Sequence, residues 1–191
     1  MSVKIDLSGT SAVVFGVANH RSIAWAIAES LYAAGADLTI TYQNERMGKT
    51  ALDLIKGLDR AQGIECDVLD QKMVNTVIEK AAKRAPLKTV VHAVAFANRD
   101  DLVSGVFAST ELEGFRLALE VSAYSLLPIA RSASNSMDNG GSIITLSFHA
   151  AEKVYPGYNI MGVAKAALEN EVRQLASELG TQNIRVNAIS A

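Results

Sequence analysis

The chain has 191 residues, 49% of them hydrophobic, with 18 basic side chains against 20 acidic ones and a formal charge of −2. That length and apolar fraction suit one folded domain over residues 1–191 and exclude a disordered chain. The near-neutral balance lacks the basic excess of a phosphate-tracking nucleic-acid binder, and no apolar run approaches membrane-spanning length, so neither nucleic acid nor membrane is an expected partner.

Short apolar runs alternate with longer helical stretches along the whole chain. Residues 11–15 read as a buried strand, followed by an Ala-, Ile- and Leu-rich helix over 22–34, with Gly35 placed to take the positive φ of a helix C-terminus. Residues 37–42 form the second strand, with Leu38, Ile40 and Tyr42 on one face, and a polar helix covers 44–58. The third strand spans 63–68 and the third helix 71–84; 89–95 is a nearly uniform apolar strand. A loop over 98–109 leads into a long helix ending near Met137, which Pro128 should kink or break. Asn139-Gly140-Gly141 turns the chain into a fifth strand over 142–147. A helix over 156–180 and a sixth strand over 184–190 complete the pattern.

Strands and helices alternating in this way predict an α/β fold, a doubly wound parallel sheet with helices on both faces. Continuous apolar strands fit, because a strand buried on both sides has no polar face to show. Ligands in such sheets bind beyond the carboxyl ends of the strands, so the residues following each strand are the candidates.

After the first strand, Gly16 lets the backbone approach a ligand, and Ser22 is placed to cap a helix whose first amides, with Ile23, could hold a pyrophosphate. Only one glycine is present, and an ordinary strand-to-helix turn would look the same. Gln43 stands where an acidic residue would hold the adenosine ribose; Arg46 and Lys49 could attract a 2′-phosphate, or simply be solvated. Asp67 and Val68 could contact adenine, although Asp67 could equally cap a helix. Val94 to Ala97 offers small residues beside a flat ligand, as a plain core-to-loop transition would.

The Tyr158-x6-Lys165 pair is more specific. On a helix the seven-residue spacing returns Lys165 to the face of Tyr158, about 10 Å along the axis, leaving room for a ribose between them. A lysine ammonium near the phenol would lower its pKa and make Tyr158 a donor to an oxygen gaining charge. Alone, a Tyr-x6-Lys match is far more often a buried tyrosine and an unrelated lysine; its place after the fifth strand is what raises it.

The remaining chemistry is sparse. Cys66 is the only cysteine, so no internal disulfide forms and a reducing, cytoplasmic setting is expected. His20, His92 and His149 are dispersed and show no metal-ligand spacing, so no metal is expected. The N-terminus lacks the basic-then-apolar pattern of a secretory signal.

The ordered set of loop motifs resembles the divergent short-chain dehydrogenase/reductases, and within them the bacterial NADH-dependent enoyl-acyl-carrier-protein reductases. The marks are Gly16-x5-Ser22-x-Ala24, Thr41-Tyr42-Gln43, Cys66-Asp67-Val68, His92 to Ala97, Ser122-Ala123-Tyr124-Ser125, Tyr158-x2-Met161-x3-Lys165 and Arg185 to Ala191. The ordinary short-chain enzymes carry Tyr-x3-Lys and a glycine-richer first loop, neither of which is here. The resemblance implies a Rossmann-like fold and hydride transfer from NADH, in preference to NADPH, to the β-carbon of a trans-2-enoyl thioester on acyl carrier protein, in fatty acid biosynthesis. It implies that Tyr158 stabilises the enolate oxygen and Lys165 holds the nicotinamide ribose. It also implies that Gly16, Ser22, Ile23, Gln43, Asp67, Val68 and Val94 contact the cofactor and that Ala97 lies near the substrate. A homodimer or homotetramer is implied, for which Phe115, Leu119 and Leu126 could serve as contacts or equally as core.

Two departures qualify it. The family usually carries a second tyrosine ten residues before the first; here that catalytic-site position holds Phe148, which can wall a pocket but donates no hydrogen bond, while His149 could donate instead. The family also continues past the position of Ala191 with a Gly-Pro-rich turn, a helical substrate lid and a last strand, so the fold is expected to lack the last strand and the lid. Two other readings stay open: a carbonyl reductase of the wider superfamily, or a non-catalytic NAD-binding fragment.

Overall fold

The computed structural model describes residues 5–191, and the reading of the N-terminus as lacking a signal segment falls partly outside them. In the first half β1 (Ser11–Phe15), α1 (Ile23–Ala33), β2 (Asp37–Tyr42), α2 (Glu45–Leu54), β3 (Ala61–Glu65), α3 (Gln71–Arg84) and β4 (Leu87–His92) alternate. The second half runs α4 (Leu112–Leu119), α5 (Leu126–Ser134), β5 (Gly141–Ser147), α6 (Ile160–Leu179) and β6 (Ile184–Ser190). All strand pairs are parallel, in the order β3-β2-β1-β4-β5-β6. The winding therefore reverses between β1 and β4, the switch point at which a doubly wound sheet opens a crevice.

The strands sort their side chains between two cores. Val13 and Phe15 pack with α3, α5 and α6 on one face, whereas Val14, Leu38 and Ile40 pack with α1 and α2 on the other. Both faces of β1 are covered, which is why all five of its residues are apolar or small and buried. The helices start where the short polar side chains predict. Ser22, Asn44 and Asp70 accept hydrogen bonds from the amides of Trp25, Met47 and, for Asp70, Lys72 and Met73. Gly35 has the expected positive φ of 103° after α1.

Three expectations are corrected. β3 and β4 begin two residues and end three residues earlier than the apolar runs suggested, because the last residues of each run have turned out of the ladder into the crevice. The long second-half helix is interrupted upstream of Pro128. A wide π-type turn spans Glu120–Tyr124, with the Ser125 amide bonding the Glu120 carbonyl at 3.1 Å. Pro128 then sits in the first turn of α5, where a missing N–H is least costly. Finally, α6 begins at Ile160, so Tyr158 precedes the helix that carries Lys165.

Candidate active site

A cavity of about 460 Å³ opens at the carboxyl ends of β1, β2, β3 and β4. It brings together Gly16, Gln43, Asp67, Val68 and Val94, expected from four separate loops. Gly16 is at φ 92°, and a Cβ there would lie 2.2 Å from the Ala93 carbonyl oxygen, so the loops after β1 and β4 approach as only a glycine permits. Asp67 accepts from the Leu69 amide at 3.0 Å, while Asp70 caps α3; the capping alternative thus belongs to Asp70. Ser22 and Ile23 open α1 beside the crevice without lining that cavity, and Ile23 is exposed. Ser22 donates to the Asn19 carbonyl at 2.7 Å and accepts from the Trp25 amide at 3.2 Å.

Leu117 and Val121 also line the cavity, from α4 and the π-type turn. Sequence reasoning missed both, since nothing in an apolar helical pattern marks where its register will widen. The turn is fixed to the sheet by two serines. Ser122 Oγ accepts from the Phe96 amide at 2.9 Å, and Ser125 Oγ lies 2.7 Å from His92 Nε2. His92 Nδ1 meets Thr145 Oγ1 at 2.8 Å, so the imidazole joins the end of β4 to β5 and to the turn. Burial, with the Lys165 charge adding to it, pushes the His92 pKa down to about 3 and holds the ring neutral.

Beyond β5 stand the aromatic residues. The Phe148 ring packs 4.9 Å, centre to centre, from both Tyr155 and Tyr158. His149 is exposed, with Nδ1 3.1 Å from the Tyr155 hydroxyl. Lys165 is 5% exposed, and its Nζ donates to the Leu146 carbonyl at 2.7 Å. Burial brings its pKa down to about 8. Burial raises that of the half-buried Tyr158, whereas proximity to Lys165 led us to expect a lowered one. Two observations explain the difference: the phenol is on the turn before α6, and the ammonium is directed at a β5 carbonyl. Ala97 follows β4 at the same edge of the sheet, half-buried. Among the described residues no cluster of His, Cys, Asp and Glu could hold a metal ion, and no helix is long and apolar enough to cross a membrane.

The overall fold recurs in known proteins. A family described as enoyl-(acyl carrier protein) reductase matches residues 16–191. The chain is 47% identical over 191 residues to the enoyl-[acyl-carrier-protein] reductase [NADH] FabI of a Nostoc species, covering 98% of this chain and 74% of that protein. It is similar to the Anaplasma phagocytophilum reductase crystallised with NAD, at TM-score 0.91 and 44% identity, covering all of this chain and 74% of the other. The Bacillus cereus reductase, crystallised with NADP+ and an indole naphthyridinone, also has a TM-score of 0.91, at 45% identity over 96% of this chain and 72% of its own.

Proposed function

The chain belongs to the enoyl-acyl-carrier-protein reductase family, and on that premise we propose that it reduces trans-2-enoyl thioesters on acyl carrier protein with NADH, in fatty acid biosynthesis. The observation that carries the reading is the crevice at the β1/β4 switch point, where Gly16 meets Ala93 closely enough to form a cradle for a dinucleotide. Its residues fit that group: a glycine approach, a capped helix start at Ser22 and Ile23 for the pyrophosphate, and Val94 along a flat ring. Asp67 and Val68 line the part suited to adenine, and Gln43 the adenosine ribose. The relatives named as [NADH] reductases support NADH over NADPH, and Gln43 is compatible with either ribose. The bound cofactor supplies the hydride that adds to the β-carbon of the substrate.

The chain's own groups do the rest. Tyr158 donates to the thioester oxygen as it gains negative charge, and its raised pKa keeps it protonated, hence a donor, at neutral pH. Lys165, mostly protonated below its pKa of about 8, presents its ammonium to the nicotinamide ribose hydroxyls. Phe148 walls the site against Tyr158, and Ala97 flanks the acyl chain. The protein works in the cytoplasm as a homo-oligomer, through the α4 surface that carries the exposed Phe115 and the half-buried Leu119. Leu126 has no part in that contact, being fully buried in the core.

The test is NADH oxidation by this chain with crotonyl and acetoacetyl thioesters in parallel. Oxidation with the crotonyl thioester alone supports the reading. Oxidation with the acetoacetyl thioester alone makes the protein a carbonyl reductase, and NADH binding without turnover of either makes it a binding protein.

A further inference from the structure

Asn159 occupies a backbone position that suits glycine. Its φ is 39° and its ψ −117°, and the turn is closed by the Met161 amide bonding the Tyr158 carbonyl at 2.9 Å. These are the features of a type II′ turn with Asn159 at its first central position, where glycine is favoured because a side chain resists positive φ. Strain of this kind persists only where surrounding contacts over-determine it.

The contacts are specific. Asn159 Nδ2 donates to the Asp101 carbonyl at 3.0 Å and to the Val103 carbonyl at 2.6 Å. Both belong to the segment after β4, some 56 to 58 residues away in sequence. Gly157 permits the approach: at φ 81°, it lies where a Cβ would be 3.2 Å from the Leu102 carbonyl. One planar amide thus ties two carbonyls of one segment to the residue after Tyr158. The same residue sets where α6 starts, its carbonyl accepting from the Gly162 amide at 2.9 Å.

We propose that Asn159 is a positioning residue, whose amide tether to the 101–103 carbonyls holds the strained turn that aims the Tyr158 hydroxyl at the substrate carbonyl. A residue needed only for this backbone shape could be glycine, which takes the φ and ψ without strain; asparagine adds the two hydrogen bonds to the 101–103 segment. The side chain is kept for what it holds. The proposal rests on the role given to Tyr158 above.

The test is Asn159→Gly, made alone and together with Tyr158→Phe, with Asn159→Asp as a variant that keeps the shape but loses both donors. We expect Asn159→Gly to lower kcat about 10- to 100-fold, the scale of a misplaced catalytic group. KM and NADH affinity should stay within about twofold, with Tm close to wild type as relief of the strain offsets the two lost hydrogen bonds. In the Tyr158→Phe background the same substitution should have no further effect on kcat, because the hydroxyl it aims is gone. NMR titration of ring-labelled tyrosine should show the Tyr158 pKa moving back toward its ordinary value, a readout that needs no turnover. Wild-type-like kcat in Asn159→Gly, an equal fold-loss in both backgrounds, a loss that tracks a fallen Tm, or an unmoved Tyr158 titration would each overturn the proposal. If Tyr158→Phe alone leaves kcat unchanged, the role of Tyr158 fails instead and takes the proposal with it.

Discussion

At the scale of single residues, the site depends on groups whose chemistry is set by burial. On the proposed mechanism, removing the Tyr158 hydroxyl leaves the developing oxyanion without its donor. Tyr158→Phe should therefore lower kcat for enoyl reduction by roughly 100-fold, with NADH affinity nearly intact, in steady-state kinetics and fluorescence titration. Given the ribose contact proposed for Lys165, Lys165→Ala should raise the NADH dissociation constant; an unchanged constant would remove it from ribose binding. Because its pKa is near 8, wild-type NADH affinity should fall as pH rises from 7 to 9, and that slope should vanish in the alanine variant. Gly16 is constrained by geometry. A Cβ at φ 92°, 2.2 Å from the Ala93 carbonyl oxygen, forces β1 and β4 apart at their ends. Gly16→Ala should cost about 2 kcal/mol or more in denaturant titrations and weaken NADH binding at the same time. All of these positions were named by sequence reasoning, since each carries a distinctive chemical type in a loop. Asn159 was not, because an Asn following a Tyr does not announce a positive φ.

At the scale of elements, the π-type turn and the ring of His92 hold the cleft together. The ring bridges Thr145 on β5 and Ser125 beyond the turn, and it is buried neutral. Its folded pKa of about 3 lies below the ordinary 6.5, so the unfolded chain binds more protons between those values. This contribution to stability is complete above pH 6.5 and is lost as pH falls below it. Glu171 works the other way: burial raises its pKa to about 7, so the folded state takes up the extra proton and is favoured as pH falls through 7. A variant isolates the first effect. His92→Gln should be less stable than wild type at pH 7.5, and the gap should shrink by about 1 kcal/mol at pH 5.5. A gap that is constant with pH would show that the ring does not titrate between the two states. The sequence placed His92 in the middle of an apolar strand, whereas it ends β4, and its two hydroxyl partners come from positions 33 and 53 residues distant. No local pattern reveals such a triad.

At the scale of the whole molecule, the sheet order is what turns scattered loop residues into one crevice. The winding out from β1 in both directions brings the ends of β1 and β4 side by side and opens the space between them. If the crevice discriminates at the adenosine ribose in favour of NADH, as the names of its relatives imply, NADH should bind at least about tenfold more tightly than NADPH in parallel titrations. Equal affinities would mean that Arg46 and Lys49 receive the 2′-phosphate after all. If α4 supplies the contact between copies, Phe115→Glu should shift the oligomer toward monomer in light-scattering measurements while leaving Tm nearly unchanged. Phe115 belongs to neither of the two cores, so the substitution disturbs little of them.

Residue type and spacing were enough for the α/β alternation, the residues at the strand ends, the helix cap at Ser22 and the family. Each rests on residue type and short-range period, which are local properties of a chain. The rest follows from contacts between distant parts of the chain. Tyr158 and Lys165 do not share a helix, because the backbone reverses at Asn159, and the contacts that stabilise that reversal come from a distant segment. The Tyr158 pKa is raised where a nearby lysine predicted a fall, because burial acts on the phenol while the ammonium is committed to the Leu146 carbonyl. Desolvation and long-range hydrogen bonds depend on what surrounds a residue in space, and the order of residues does not carry that information.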